Sequence, residues 1–228
     1  MKKNKSNAAK KILIIAPHPD DEVLGCGGTI LKYGEQGNEV SLCVVTKAYA
    51  PDWSEEFIKN RPKEIKTAGG ILGIKRIFLL ELPTVKLDTI PQKDLNESIL
   101  KVINKVKPEI IYLPHGGDIN KDHRLVFEAG LVATRSSNKT SVKKILCYET
   151  LSETAEGRVL KEFIPAIYEN IGKQFKKKVA AMKVYKSEIK KFPHPRSLEM
   201  MEIQAKRRGA EAGFNLAEAF MLIREINN

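Results

Sequence analysis

Short apolar runs alternate along this chain with longer segments whose apolar residues recur at helical spacing. Five of these runs have the length and β-branched content of buried strands, namely residues 12–16, 39–46, 76–80, 109–113 and 143–150. The segments between them predict helices over about residues 23–36, 54–70, 93–106 and 125–136. Strands that alternate with helices in this way predict a mostly parallel sheet with right-handed crossover connections.

The last part of the chain has a different pattern. From residue 171 onward we expect two helices, separated by a proline-containing break at residues 192–196. No internal repeat or long linker divides the chain, so we predict one domain over residues 11–228, preceded by a flexible basic segment over residues 1–10. The expected fold class is α/β, a Rossmann-like three-layer sandwich with a mostly parallel sheet and C-terminal helices.

A dense polar cluster follows the first predicted strand. The sequence PHPDDE at residues 17–22 places one imidazole, that of His18, beside three consecutive carboxylates. In open α/β sheets, ligands bind at the carboxyl ends of the strands, where this cluster lies. Adjacent carboxylates repel one another unless a cation or protons neutralise them, so the cluster favours a divalent metal ion.

Two other interpretations compete with a metal site at this cluster. Asp20 or Asp21 can cap the following helix, although a cap does not require a histidine between two prolines. Gly25, Gly27 and Gly28 follow a first strand, as in dinucleotide-binding proteins. Their spacing does not match G-x-G-x-x-G, however, and three carboxylates would repel a pyrophosphate. The glycines are better explained as allowing the helix to lie close to the sheet.

A second polar cluster, PHGGDINKDHR at residues 114–124, also lies between a predicted strand and a predicted helix. Three of the four histidines, His18, His115 and His123, are therefore expected in strand-to-helix loops beside acids. If strands one and four share the parallel sheet, then His18, Asp21 and His123 can converge at one edge. Two imidazoles and a carboxylate, with one position left for water, form a catalytic zinc set. Such a metal lowers the pKa of its bound water toward about 7.

The two clusters resemble the motifs of the PIG-L/LmbE family of zinc-dependent N-acetylglucosamine deacetylases, which includes deacetylases of mycothiol and bacillithiol biosynthesis. APHPDDE at residues 16–22 matches the opening signature of the family, and DINKDHR at 118–124 matches its Asp-His element. Weaker similarities extend from about residue 11 to residue 224. The resemblance implies a metal-dependent hydrolase that removes the acetyl group from an N-acetylglucosamine-type sugar conjugate.

The resemblance also implies roles for individual residues. His18, Asp21 and His123 would bind Zn²⁺, with Fe²⁺ or another divalent metal as the alternative. Asp20 would be the general base, because the first acid of the pair does not bind the metal in the family. Asp122 would orient a neighbouring group or help to hold the site.

One position departs from the family pattern. Several relatives have a histidine where Asn120 stands, and an asparagine can donate a hydrogen bond but cannot relay a proton. His194, a candidate catalytic residue, or His115 can take over that role, and each is explained equally well as a structural histidine.

Substrate contacts are less sharply predicted. Arg61 and Arg196 can bind hydroxyl or phosphate groups, or they can pair with Glu64 and Glu199 at the surface. Trp53 can stack on a sugar, although packing explains a single tryptophan equally simply. The candidate substrate-binding residues are Arg61, His115, Asp118, Asn120 and Arg196.

Composition adds limits to these expectations. The net charge of +11 favours attraction of an anionic small molecule, such as a phosphorylated or nucleotide-linked amino sugar, unless the charge only solvates the fold. The chain has no zinc-finger or RNA-recognition signature, which disfavours nucleic acid as a partner. No apolar run approaches the roughly 20 residues of a membrane span. Cys26, Cys43 and Cys147 are far apart and indicate a reducing compartment, so we expect a cytoplasmic protein.

Two rival functions remain at this point. One is a metal-dependent amidase that acts on a non-sugar N-acyl substrate. The other is a non-enzymatic nucleotide or nucleic-acid binder, which the positive charge suggests but which a complete set of ligands and a base argues against. The pattern leaves a homo-oligomer open.

Overall fold

The computed structural model describes residues 9–227 of the chain. The predicted flexible segment over residues 1–10 therefore lies almost entirely outside the described residues. Within them, none of the helices combines the length and the apolar character required to span a bilayer.

Seven strands form one sheet in the order β3-β2-β1-β4-β5-β7-β6. The strands are β1 Lys11–Ala16, β2 Glu39–Lys47, β3 Arg76–Pro83, β4 Ile110–Pro114, β5 Lys144–Tyr148, β6 Ile167–Asn170 and β7 Ala217–Glu225. The helices are α1 Asp21–Glu35, α2 Glu55–Leu72, α3 Gln92–Val106, α4 Lys121–Ala133, the single turn α5 Thr154–Gly157, α6 Phe175–Met182 and α7 Leu198–Ala212.

Strands β1 to β5 are parallel, and β1 lies in the middle between β2 and β4. Ile14 on β1 is level with Leu42 on β2 and Tyr112 on β4. The carboxyl ends of β1 and β4 therefore meet at the same edge of the sheet, side by side. This arrangement confirms the predicted α/β class and the mostly parallel sheet.

Helices cover both faces of the sheet, and the alternation of side chains along β1 shows why. Ile12 and Ile14 pack on one face with apolar residues of α1, α2, α6 and α7. Leu13 and Ile15 point to the opposite face, where α3 and α4 pack. All four side chains are fully buried, as expected for a parallel strand between two helical layers.

The predicted secondary structure differs from the observed one at several points. Strand β6, Ile167–Asn170, was not predicted, and the first helix expected after residue 171 is limited to α6, Phe175–Met182. Residues 217–225, which we predicted as helix, form β7, which is antiparallel to both β5 and β6. Helix α4 begins at Lys121, four residues before the predicted start, because Asn120 caps it by accepting a hydrogen bond from the Asp122 N–H. His123 therefore lies in the first turn of a helix and not in a loop.

Helix α1 approaches the sheet closely at its glycines, as the sequence predicted. A Cβ atom at Gly25 would overlap the ring of Tyr148 on β5, and one at Gly28 would overlap the side chain of Ile171. Only glycine fits at such a close approach between a helix and its neighbours.

A buried ion pair, which we call the helix clamp, holds the middle of α1. Lys178 on α6 and Glu218 on β7 are 2.6 Å apart, and both side chains are more than nine-tenths buried. Lys178 Nζ also donates to the Leu24 carbonyl, and the Glu218 carboxylate accepts from the N–H groups of Gly28 and Thr29. The helix clamp thus ties α1 to two elements from the end of the chain.

Candidate metal centre and active site

Three potential metal ligands meet where β1 and β4 end. His18 follows β1, Asp21 opens α1, and His123 lies in the first turn of α4. His123 Nε2 is 3.3 Å from His18 Nδ1 and 3.3 Å from Asp21 Oδ2, and His18 Nδ1 is 3.5 Å from Asp21 Oδ2. The three atoms form a nearly equilateral triangle.

The outer nitrogen of each imidazole contacts a carboxylate. His18 Nε2 is 3.0 Å from Asp122 Oδ2, and His123 Nδ1 is 2.8 Å from Asp118 Oδ2. A carboxylate accepts the proton of the outer nitrogen and so leaves the inner nitrogen with a free lone pair. His18 Nδ1 and His123 Nε2 therefore both direct lone pairs toward the carboxylate oxygen of Asp21.

This arrangement fits a metal ion. Two nitrogen lone pairs and an anionic oxygen that face one another within 3.5 Å need a shared cation or protons to offset their repulsion. Tetrahedral Zn²⁺ with bonds of about 2.0–2.1 Å sets neighbouring ligand atoms about 3.3 Å apart, which matches the observed triangle. The ligand atoms of these three residues are thus close enough to one another to bind a single metal ion.

The pKa values of the metal-free residues also indicate a demand for positive charge. Burial opposes the charged form of His18, but hydrogen bonds to Asp122 and Asp21 raise its pKa to about 8. Burial likewise opposes the charged form of His123, but the charge of Asp21 and the bond to Asp118 raise its pKa. For Asp21, the two imidazoles outweigh burial and lower the pKa.

The adjacent carboxylate, Asp20, lies beside this triangle in an unusual backbone conformation. Its φ angle is 121°, a region that favours glycine, and its N–H donates to the buried carboxylate of Glu22. Tyr185 donates its hydroxyl to the other oxygen of Glu22, which fixes the turn. Asp20 Oδ2 has no hydrogen-bond partner among residues 9–227. Burial, and then the charge of Asp21, raise the pKa of Asp20 well above its usual value.

A cavity of about 170 Å³ opens in front of the triangle. It brings together five of the predicted site residues, namely His18, Asp20, Arg61, Asn120 and Arg196. Trp53 and Phe57 form an apolar wall of the cavity. The rest of the lining consists of Pro19, Thr46, Ala48, Thr84, Val85 and Glu188.

The two arginines have partners that the sequence did not predict. Arg61 does contact Glu64, at 3.4 Å, but its shorter ion pair is with Glu188. Arg196 does not pair with Glu199. It contacts Glu188 at 3.0 Å, together with other acids at the cavity, because the loop before α7 turns it inward.

Two histidines predicted as site residues, His115 and His194, lie away from the cavity. His115 is buried behind it, with Nε2 2.9 Å from the Lys161 carbonyl and its ring edge-on to Phe163. His194 is exposed on a neighbouring groove, and its Nδ1 accepts from the N–H of Arg196. The prediction of His115 as a substrate contact is corrected, since its ring is committed to internal contacts.

Asp118 and Asp122 both support the imidazoles. Asp118 was predicted to bind substrate, but it is fully buried, with one oxygen at His123 and the other accepting from Thr154. Asp122, which was predicted to orient a neighbouring group, contacts His18 and accepts from the N–H groups of Val85 and Leu87.

Comparison with known proteins identifies the family. The sequence profile of PIG-L, described as GlcNAc-PI de-N-acetylase, matches residues 13–134. The uncharacterized deacetylase YaiS of Escherichia coli (strain K12) is 30% identical over 191 residues, which cover 80% of this chain and 94% of YaiS. The chain belongs to the PIG-L family. Membership confirms the family predicted from the two motifs and, with it, the enzyme class, a deacetylase that hydrolyses N-acetyl amide bonds.

Solved structures share the fold of this PIG-L protein. The conserved protein TT1542 from Thermus thermophilus aligns with a TM-score of 0.79 at 22% identity, covering 96% of this chain and 97% of TT1542. The N,N'-diacetylchitobiose deacetylase of Pyrococcus horikoshii aligns with a TM-score of 0.76 at 23% identity, covering 95% of this chain and 85% of that one. At these identities the likeness establishes the architecture alone.

Proposed function

We propose that this PIG-L protein is a zinc-dependent hydrolase that removes the acetyl group from an N-acetylglucosamine-type sugar. The observation that carries the proposal is the ligand triangle of His18, Asp21 and His123 beside the cavity, since the ligand His18 and the adjacent carboxylate Asp20 both line that cavity. The cavity thus offers an electrophile-activating centre and a base at one place, which amide hydrolysis requires.

The donors of the triangle favour zinc. Nitrogen and carboxylate ligands suit both Zn²⁺ and Fe²⁺, and two imidazoles with one carboxylate and an open position are a common catalytic zinc set. The separations of 3.3, 3.3 and 3.5 Å accommodate such an ion. Bound there, the ion would supply a Lewis acid that lowers the pKa of a water molecule and polarises the acetamide carbonyl.

Asp20 moves the proton in this mechanism. Its carboxylate, which lines the cavity, accepts a proton from the attacking water, and the raised pKa makes it a stronger base than an ordinary carboxylate. After the water oxygen has bonded to the carbonyl carbon, Asp20 delivers the proton to the departing nitrogen. The C–N bond breaks, and the products are acetate and the free amino sugar.

Asn120 donates to the oxygen of the acetamide. The hydrogen bond from the Asp122 N–H identifies the side-chain oxygen of Asn120 and so fixes which way its amide points. Asn120 lines the cavity, and its amide nitrogen is left to stabilise the oxyanion. Trp53 and Phe57 pack against the apolar face of the sugar and help to exclude water.

The proposal is tested by metal analysis of the purified protein together with an assay of free-amine release from N-acetylglucosamine and its conjugates. We expect zinc at about one equivalent per chain and activity that chelation abolishes. Asp20→Asn keeps the metal ligands but removes the base, so it should retain zinc and lose about 10²–10⁴-fold in kcat.

Asp88→Asn is the matched control, because Asp88 is an exposed acid whose partner is Lys121 and which lies outside the cavity lining. It should behave like the wild type in both measurements. Near wild-type turnover of zinc-loaded Asp20→Asn would remove Asp20 from the mechanism. Activity on acylated amines without a sugar, in the absence of activity on N-acetyl sugars, would replace the substrate class.

A further inference from the structure

Two guanidinium groups face the cavity, and a single carboxylate joins them. Arg61 reaches the cavity from α2, and Arg196 reaches it from the loop before α7. Arg61 Nη2 donates to Glu188 Oε1 at 2.5 Å, and Arg196 Nη1 donates to Glu188 Oε2 at 3.0 Å. Both oxygens of Glu188 are therefore engaged, and the three residues form a continuous bridge along the cavity wall.

Further carboxylates surround the two ends of this bridge. Arg61 lies 3.4 Å from Glu64, and Arg196 lies 3.1 Å from Glu153 and 3.6 Å from Asp20. With Glu188, four carboxylates thus surround two guanidinium groups. An arginine that binds an anionic substrate presents a free fork of N–H donors to it. Arg196 instead donates its Nε, Nη1 and Nη2 to Ser152, Glu188 and Glu153. Arg61 donates Nη2 to Ser187 and Glu188, and its Nη1 is buried 3.4 Å from Glu64 without a hydrogen bond.

The bridge is shielded from solvent. The exposed fraction of the side chain is 8% for Arg61, 18% for Glu188 and 23% for Arg196. Charges in such surroundings are screened less than charges on the surface. The carboxylates of Asp20 and Glu188, which line the cavity, would therefore repel an anionic group that enters it.

Two other positive charges near the cavity are balanced as well. Lys47 and Lys86 are next in sequence to cavity-lining residues, and they pair with Glu81 at 3.0 Å and with Asp52 at 2.5 Å. At the metal centre, a divalent cation would face three carboxylates, namely those of Asp21, Asp118 and Asp122.

We propose that the bridge of Arg61, Glu188 and Arg196 makes the cavity select uncharged N-acetyl sugars and discriminate against those that carry a phosphate or carboxylate group. Glu188 is the specificity-determining residue, because its carboxylate pairs with both guanidinium groups. The inference rests on the proposed deacetylase function and narrows its substrate class. The inference distinguishes the selectivity of the cavity from the electrostatics of the whole protein, whose net charge of +11 attracts anions whether or not they fit the cavity.

The test compares N-acetylglucosamine with its 1-phosphate and its 6-phosphate as substrates of the zinc-loaded enzyme. The wild type should hydrolyse the neutral sugar with a kcat/KM about tenfold or more above that for either phosphate. Glu188→Gln keeps the size of the side chain and removes its charge. It should shift this ratio toward the phosphates by about tenfold, mainly through KM.

Two further variants keep the test sharp. Glu153→Gln removes a carboxylate from Arg196 and should shift the ratio in the same direction by a smaller factor, so the inference does not depend on one variant that fails to fold. Glu169→Gln removes a charge that pairs with Lys32 away from the cavity lining, and it should leave the ratio unchanged.

A wild-type enzyme that hydrolyses a phosphorylated sugar as well as the neutral one, or better, would overturn the inference and leave the deacetylase function intact. An unchanged ratio in Glu188→Gln and Glu153→Gln would remove Glu188 as the selecting residue. Failure to release amine from any N-acetyl sugar would overturn the proposed function itself, and the inference with it.

Discussion

Two buried groups of charged side chains contact helix α1, and they differ in their balance of positive and negative charge. In the middle of the helix, the helix clamp pairs one positive with one negative side chain. At the first residue of the helix, Asp21 lies between the lone pairs of two imidazoles, whose outer nitrogens face two more carboxylates.

The helix clamp is balanced. Lys178 Nζ donates both to Glu218 and to a main-chain carbonyl, and each oxygen of Glu218 accepts from a main-chain N–H. The net charge of the group is zero and its polar atoms have partners, so it needs nothing from outside the chain.

The metal centre is unbalanced. Its lone pairs and carboxylates have no cation among the described residues that touch them, and the positive charge must come from an ion or from protons. Both groups are largely buried, with exposed side-chain fractions of 6% and 4% in the helix clamp and at most 16%, at His18, in the metal centre. Charge balance, and not burial, therefore separates a group of buried charges that stabilises a fold from one that binds a ligand.

The largest expected effect comes from removing the charge at the metal centre. Asp21→Asn should reduce the bound metal to a small fraction and lower amine release about a thousandfold or more, because the Lewis acid is lost. The measurement is elemental analysis and turnover of the same sample. The far-UV circular dichroism of the variant should match that of the wild type. Unchanged metal content would show that Asp21 is not a ligand.

The second effect breaks the helix clamp. Lys178→Met leaves Glu218 buried without a counter-charge, and it should lower the free energy of unfolding by about 3–5 kcal/mol. The measurement is urea unfolding. The folded fraction should still bind metal at the wild-type ratio, which is the reverse of the result for Asp21→Asn.

The double variant Lys178→Met with Glu218→Gln is the control for this prediction. It removes both charges together and should recover more than half of the lost stability. If the single and double variants are equally unstable, packing of Lys178 rather than charge balance holds the helix.

A smaller effect is expected behind the ligands. Asp118→Asn weakens the acceptor for the outer nitrogen of His123, and it should lower metal affinity about 10–100-fold. Competition with a metal-binding dye measures this change. Glu156→Gln, an exposed acid in the nearby turn α5, should leave the affinity unchanged, and an equal loss in both variants would reject a specific role for Asp118.

The smallest effect sets the baseline for both buried groups. Lys206 and Glu202 form an ion pair of 2.7 Å on the outer face of α7, with exposed fractions of 62% and 49%. Lys206→Met should change the free energy of unfolding by no more than about 0.5 kcal/mol, because water solvates both charges. A loss comparable to that of Lys178→Met would contradict the importance of burial for the helix clamp.

The sequence predicts the ligand triangle because its cause is local and periodic. Each cluster follows an apolar run of strand length, and adjacent parallel strands bring their carboxyl ends together. The start of α4 was also within reach of the sequence, since an Asn followed by an Asp in the first turn is a helix-start signal. Only the polarity of the first turn made it look like a loop.

Other features depend on contacts that no local pattern contains. The sequence of β7 is rich in alanine, glutamate, methionine and leucine, which favour helices, but the strand is imposed by pairing with β5 on one side and β6 on the other. Glu153 and Glu188 are single acids in irregular segments. Their position at the cavity follows from how the last part of the chain packs, so sequence reasoning missed them.

The backbone conformation of Asp20 lowers the stability of the protein at a residue that catalysis requires. A residue with a side chain at a φ of 121° stores roughly 1–3 kcal/mol that a glycine would release. Asp20→Gly would therefore increase the stability of the protein and remove the proton acceptor that catalysis needs. A screen for thermal stability alone would therefore select stable but inactive variants. Selection for stability should include an activity assay at every round.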